Sequence, residues 1–243
     1  MASTRQLKNP PIKEAIINVS FKDVIDLDRI QGFCNNSFIK IQYPRQNTLT
    51  NVEINVVDKE SVSKTRVEGF ILNCENACNR SIQIKVGQLS FHNTNVYIGW
   101  DTFYEEFKRI WGIFCDTVGK MDLINISVRY INQLNFNLPL QFGFEEYLKF
   151  LPTIPDGLSR SINGFFIQLN IPSQDNSMTG IITETFGTIP KNQLQVILDL
   201  IVSKAQNVIC NSDDMWSSFS NVREFKNQLF FSCLTDKTIH LYE

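Results

Sequence analysis

From Ile12 to Phe21 the chain alternates: Ala15, Ile17, Val19 and Phe21 fall in one phase, Glu14, Asn18 and Ser20 in the other. A period of two belongs to a strand with one buried face. Pro10-Pro11 suits its start, because proline has no N–H to give to a central ladder. Asp26 can cap a short helix running to Cys34. Strand-like runs follow at Phe38–Tyr43, Val52–Val57, Val67–Asn73 and Ser81–Phe91. In the last, the phase of Ile82, Ile84 and Val86 shifts at Gly87 to Leu89 and Phe91, which predicts a bulge. The residues from Glu75 to Asn79 predict the turn of a hairpin.

A different period takes over at Trp100. Trp100, Phe103, Tyr104, Phe107, Ile110, Trp111, Phe114 and Val118 recur at three- and four-residue steps, with Glu105, Glu106, Lys108 and Arg109 on the wet side. This is one wide apolar stripe of a helix that Gly119 can end. Leu123–Phe136 then reads as a long strand, Phe144–Phe150 as a short helix, and Phe165–Ile171, Met178–Phe186 and Leu194–Val202 as strands. Ser212 or Asp213 caps a second long helix carrying Trp216, Phe219, Val222 and Phe225, and Asp213-Asp214 suits that helix's positive end. A last strand is predicted at Thr238–Tyr242.

The order predicts an α+β fold of two loosely similar strand-rich halves. Each has mostly antiparallel strands and one long amphipathic helix packed on the sheet. The Pro-containing stretch Leu151–Ser161 is the boundary candidate, giving halves 1–150 and 151–243 packed as one unit. Trp100, Trp111 and Trp216 lie on helical stripes, so they read as core before interface.

The 243 residues include 19 Phe and carry a net charge of −2, so the chain can bury a sizeable core and shows no basic run of the kind that tracks phosphate backbones. Folding could still assemble Lys85, Lys108, Arg109 and Lys120. The first residues are polar without the apolar stretch of an export signal, and no stretch of eighteen apolar residues occurs. The expectation is a cytoplasmic protein without a membrane span, its six cysteines reduced.

Phosphate-cradling glycine loops and the Gly-x-Ser-x-Gly elbow are absent from the sequence, and neither of the two histidines, His92 and His240, lies beside a nucleophile signature. Cys74-x-x-x-Cys78 is half a zinc site that His92 or Cys115 would have to complete in space, but zinc favours two close pairs and the second is missing. No metal or cofactor is expected. Arg129 is the charge that calls for a partner, because it stands in a strand whose other phase is apolar and an unpaired buried guanidinium is prohibitively costly. Glu14 and Asp199 occupy similar strand surroundings and can pair with it. Asn132 lies in the opposite phase. Two readings stand: a salt bridge that fixes register, or a bidentate clamp for an anionic ligand or peptide.

Four short motifs occur in order: Pro10-Pro11-Ile12-x-Glu14-Ala15-Ile16; Gly99-Trp100-x-x-Phe103; Arg129-Tyr130-Ile131-Asn132; and Leu198-Asp199 followed by Trp216 and Lys226-Asn227-Gln228-Leu229-Phe230-Phe231. With these the chain resembles, over nearly its full length, a sporadically distributed prokaryotic family of uncharacterised proteins of about this size. Its pattern departs at Ser127-Val128, where the family carries Gly-Leu. The resemblance implies no activity, cofactor or mechanism. Its scattered occurrence suggests an antiviral defence or toxin–antitoxin module. The sequence therefore points first to a non-enzymatic binding protein with a protein partner or a second copy of itself and no membrane, and its charge balance argues against nucleic acid. The rival is a small-ligand binder or enzyme with a pocket between the halves, centred on Arg129.

Overall fold

The computed structural model describes residues 7–57, 60–75, 79–94, 97–137, 143–158, 164–187 and 193–243. Nine strands form one sheet: β1 (Ile12–Phe21), β2 (Arg45–Val57), β3 (Glu60–Asn73), β4 (Arg80–Lys85), β5 (Gln88–Thr94), β6 (Asp122–Asn137), β7 (Phe165–Pro172), β8 (Thr179–Gly187) and β9 (Gln193–Ile209). Their spatial order is β2-β3-β4-β5-β1-β6-β9-β8-β7, and every neighbouring pair is antiparallel. β1 thus enters the middle of the sheet, between β5 and β6. The fold is mixed α and β, as the two periodicities required.

The helices α1 (Leu27–Cys34), α2 (Ser37–Gln42), α3 (Trp100–Val118) and α4 (Asp213–Cys233) gather on one face of this sheet. Phe114 of α3 packs against Phe21 of β1, and Phe103 stacks on Phe91 of β5. Tyr104 and Phe107 meet Phe219 of α4. α4 lies over β9, β6 and β8. Beneath the helices, Ala15, Ile17 and Val19 of β1, Ile126 and Val128 of β6, and Val196, Leu198 and Leu200 of β9 are fully buried. The alternate residues of the same strands face the other way and are half-buried, polar ones such as Asn18, Ser127 and Ser203 mixed with isoleucines such as Ile16, Ile131 and Ile201. Trp111 is sealed in the core, Trp100 nearly so, and Trp216 sits at its edge against Tyr104. Among the described residues, no helix is long and apolar enough to cross a membrane.

Most predicted elements are present with longer ends, and four differ. Phe38–Tyr43 is helix α2 instead of a strand, because Asn36 accepts hydrogen bonds from the Phe38 and Ile39 amides and the helix then buries Ile39 and Tyr43 four residues apart. Ser81–Phe91 is two strands: the phase shift at Gly87 marks a two-residue reversal between β4 and β5, with Lys85 opposite Gln88. Phe144–Phe150 keeps only a 3-10 turn at Phe144–Glu146. The final segment is helix α5 (Asp236–His240), capped by the Thr235 side chain. The predicted turn is partly outside the described residues, but β3 and β4 pair on either side of it. Cys74 is disulfide-bonded, so the expectation that every cysteine is a free thiol fails there; Cys34, Cys115, Cys210 and Cys233 are free and buried.

Candidate functional site

On the polar face of the sheet the register places Glu14, His92, Arg129 and Asp199 close together on the four central strands. Ile16 of β1 is opposite His92 on one side and Arg129 on the other, and Glu14 and Asp199 both flank Ile131 of β6. Arg129 is a diagonal neighbour of Asp199, within reach of a long side chain across a pair of strands. Its Nε donates to both carboxylate oxygens at 3.0 and 3.1 Å, and its Nη2 donates to Oδ2 at 2.6 Å. The bond to Asp199, strengthened by the nearby Glu14 charge, pushes the guanidinium's pKa up despite partial burial. Glu14 Oε1 lies 2.9 Å from His92 Nδ1. That contact, with the charges of His92 and Arg129, holds the Glu14 carboxyl below its ordinary value against the opposing effect of burial.

Three of the four residues singled out from the sequence therefore come together, and Arg129 has the carboxylate partner its position demanded. The Arg129 side chain is 43 % exposed and that of Asp199 14 %, so the pair is satisfied and only partly shielded. Asn132 is on the opposite face, as its phase predicted. It is buried, and its amide nitrogen donates to the carbonyls of Leu198 and Tyr130 at 3.0 and 3.2 Å.

Asn132 and Tyr130 lead instead to a cavity of about 750 Å³ on the helical side of β6. Four sequence segments build its wall. Pro10, Pro11 and Ile12 come from the entry to β1; Gly99 and Trp100 from the start of α3; Tyr130 and Asn132 from β6; and Lys226, Asn227, Phe230 and Phe231 from α4. These are the motifs that carried the family resemblance. Gly99 has a φ of 98°, a left-handed conformation that glycine adopts without strain.

Lys226 is half-buried and faces the cavity. Its Nζ is 4.0 Å from the centre of the Tyr130 ring and donates to Asn227 Oδ1 at 2.6 Å. Removal from water, reinforced by the like charge of Arg223, brings its pKa down to about 7. Arg223, one turn earlier on α4, also lines the cavity, and its guanidinium carbon is 5.3 Å from the centre of the Trp100 ring. The Tyr97 and Tyr130 hydroxyls are 2.9 Å apart. Desolvation pushes Tyr97 up to about 12 and Tyr130 further, so both are neutral donors at physiological pH. The lining thus combines aromatic surface, three cations (Lys8, Arg223, Lys226) and a single carboxylate, Glu224.

Lys226 and Arg223 were not found from the sequence, although a signal existed. Val222, Phe225 and Leu229 are buried along α4, and Lys226 interrupts that stripe where an apolar residue would continue it. Elsewhere under α4, Glu184 of β8 is 1 % exposed, and neither carboxylate oxygen has a hydrogen-bond partner among the described residues. Burial pushes its pKa up to about 7. No protein-family model matches the chain, and no curated protein matches it.

Proposed function

We propose that this chain is a non-enzymatic binding protein whose cavity beside β6 receives a small organic anion with an apolar or aromatic part. The observation that carries this reading is the cavity's composition, three cations to one carboxylate within an aromatic wall. A concave, largely preformed site with a few convergent polar groups is where ligands bind. Anion binding would give Lys226 a counter-charge that the described residues do not supply and Arg223 a closer one than Asp101 at 3.9 Å, while Trp100, Tyr130 and Phe230 supply apolar contact. The reading moves the pocket expected at Arg129 by one residue in sequence and to the other face of the sheet, since Arg129 is already engaged by Asp199.

The role is assigned to a defence or toxin–antitoxin module on the strength of the resemblance, with the ligand as signal and a protein as partner. The division into two loosely similar halves, expected at Leu151–Ser161, is better drawn before β6. In each, the first strand lies beside the last, β1 beside β5 and β6 beside β9, and a long helix follows. Titration calorimetry with phenyllactate, an aromatic hydroxy acid, tests the pocket: wild-type protein should bind it and Lys226→Met should lose roughly tenfold or more in affinity, about the 1.4 kcal/mol expected of one charge-assisted contact. Equal binding by both proteins, or by neither, would sink the reading.

A further inference from the structure

We propose that Lys226 captures a carbonyl: the cavity takes a small molecule bearing an aldehyde or ketone next to an anionic group and holds it reversibly as an imine on Lys226 Nζ. This rests on the cavity being a ligand site and specifies which ligand it takes. Lys226 Nζ lies over the Tyr130 ring at the wall of the cavity, with no carboxylate against it among the described residues. The ring face offsets part of the desolvation cost of the ammonium but does not replace a counter-ion, and the neutral amine, which escapes that cost, is the nucleophilic form.

The surrounding groups fit that chemistry. From α4, Arg223 stands three residues before Lys226, a spacing that puts both on one helical face. It favours the neutral amine, and its ion-pair contact, Nη1 3.9 Å from the exposed Asp101 carboxylate, leaves it able to exchange that loose partner for a carboxylate on the carbon next to the carbonyl. From the N-terminal segment, Lys8 adds a second cation, and Glu224 is the only carboxylate on the described lining. From β6 and the segment before α3, the Tyr130 and Tyr97 hydroxyls form a proton-donating pair on the same wall. With its pKa near 7, Lys226 is present about equally as cation and neutral amine at neutral pH, the first for holding an anion and the second for attack.

The step balances without an oxidant or reductant. The Nζ lone pair attacks the carbonyl carbon, the carbonyl oxygen takes up a proton, and a carbinolamine forms. Its hydroxyl leaves as water while nitrogen loses its proton and forms the C=N bond. Amine plus carbonyl gives imine plus water. The ligand class is therefore an aromatic or apolar 2-oxo acid, with carboxylate toward Arg223 and carbonyl toward Lys226.

The full-length protein should be incubated with phenylpyruvate and cyanoborohydride near neutral pH, and the reduced adduct located by intact mass and peptide mapping. An amine of pKa near 7 carries on the order of a thousandfold more of the reactive form at neutral pH than an ordinary lysine. One adduct per chain, on Lys226, is expected; phenyllactate should suppress it and Lys226→Arg should abolish it. Adducts spread over other lysines, or none on Lys226, would overturn the proposal. Phenyllactate binding without trapping at Lys226 would remove the imine and leave the pocket. Failure of both would remove both.

Discussion

Arg129 and Lys226 approach the same stretch of β6 from opposite faces of one sheet, and the protein treats their charges in contrary ways. Arg129 points to the polar face and finds a bidentate carboxylate in Asp199. Lys226 lies over Tyr130, the next residue of the strand, and has an aromatic ring and one amide oxygen in place of a counter-ion. The first arrangement is complete by itself and holds β6 and β9 in register. The second leaves an electrostatic demand that a ligand can meet. A charged residue in an apolar strand is thus a weak pointer to function when its partner lies one strand away. An amine on a helix stripe with no such partner is a stronger one.

The largest effect expected from breaking this contrast is at Lys226. Its folded pKa is below its unfolded value, so the unfolded state binds the proton more tightly; the resulting destabilisation is full below about pH 7 and fades as pH rises toward 10. Lys226→Met should raise unfolding stability by about 3 kcal/mol near pH 6 and progressively less above neutrality, while weakening the ligand. Urea denaturation at several pH values would read the slope, and a variant less stable than wild type at pH 6 would refute the burial argument.

Glu184 provides the mirror image. Its folded pKa is raised, so its cost is absent below about pH 4.5, grows from there to 7 and is full above. Glu184→Gln should gain about 2 kcal/mol at pH 8 and nothing at pH 4. At the satisfied pair, a double-mutant cycle with Arg129→Leu and Asp199→Leu should give a coupling of about 1 kcal/mol that weakens with salt, in keeping with its partial exposure. The smallest change belongs to Glu14. Its depressed pKa contributes stability above the ordinary carboxylate value that is lost as pH falls through the folded one. His92→Leu should move the Glu14 titration upward, measurable by carboxyl NMR, at a cost of a few tenths of a kcal/mol.

Much of the fold could be read from residue order because the elements that dominate it follow one period each. Ile12–Phe21 alternates without interruption, and α3 repeats its aromatics for nineteen residues. The misreadings fall where local chemistry overrides pattern. Asn36 and Thr235 cap turns whose apolar residues look like strand, and Gly87 reverses the chain where it looked like a bulge. The Arg129–Asp199 pair was visible because phase and charge leave few partners for a strand guanidinium. The cavity was not, because it assembles from four segments separated along the whole chain, and no local pattern records that Pro11, Trp100, Tyr130 and Lys226 share a wall.

The central place of β1 has a consequence for how the molecule is made. Its ladder partners are β5 and β6, so β1 waits until β6, near the middle of these 243 residues, has been made before both of its edges are covered. Such distant pairings slow folding and leave an adhesive ribbon available to other nascent chains. Any truncation through Ile12–Phe21 would open two interior edges at once, and expression trials that trim this end should yield aggregates in place of a smaller soluble protein.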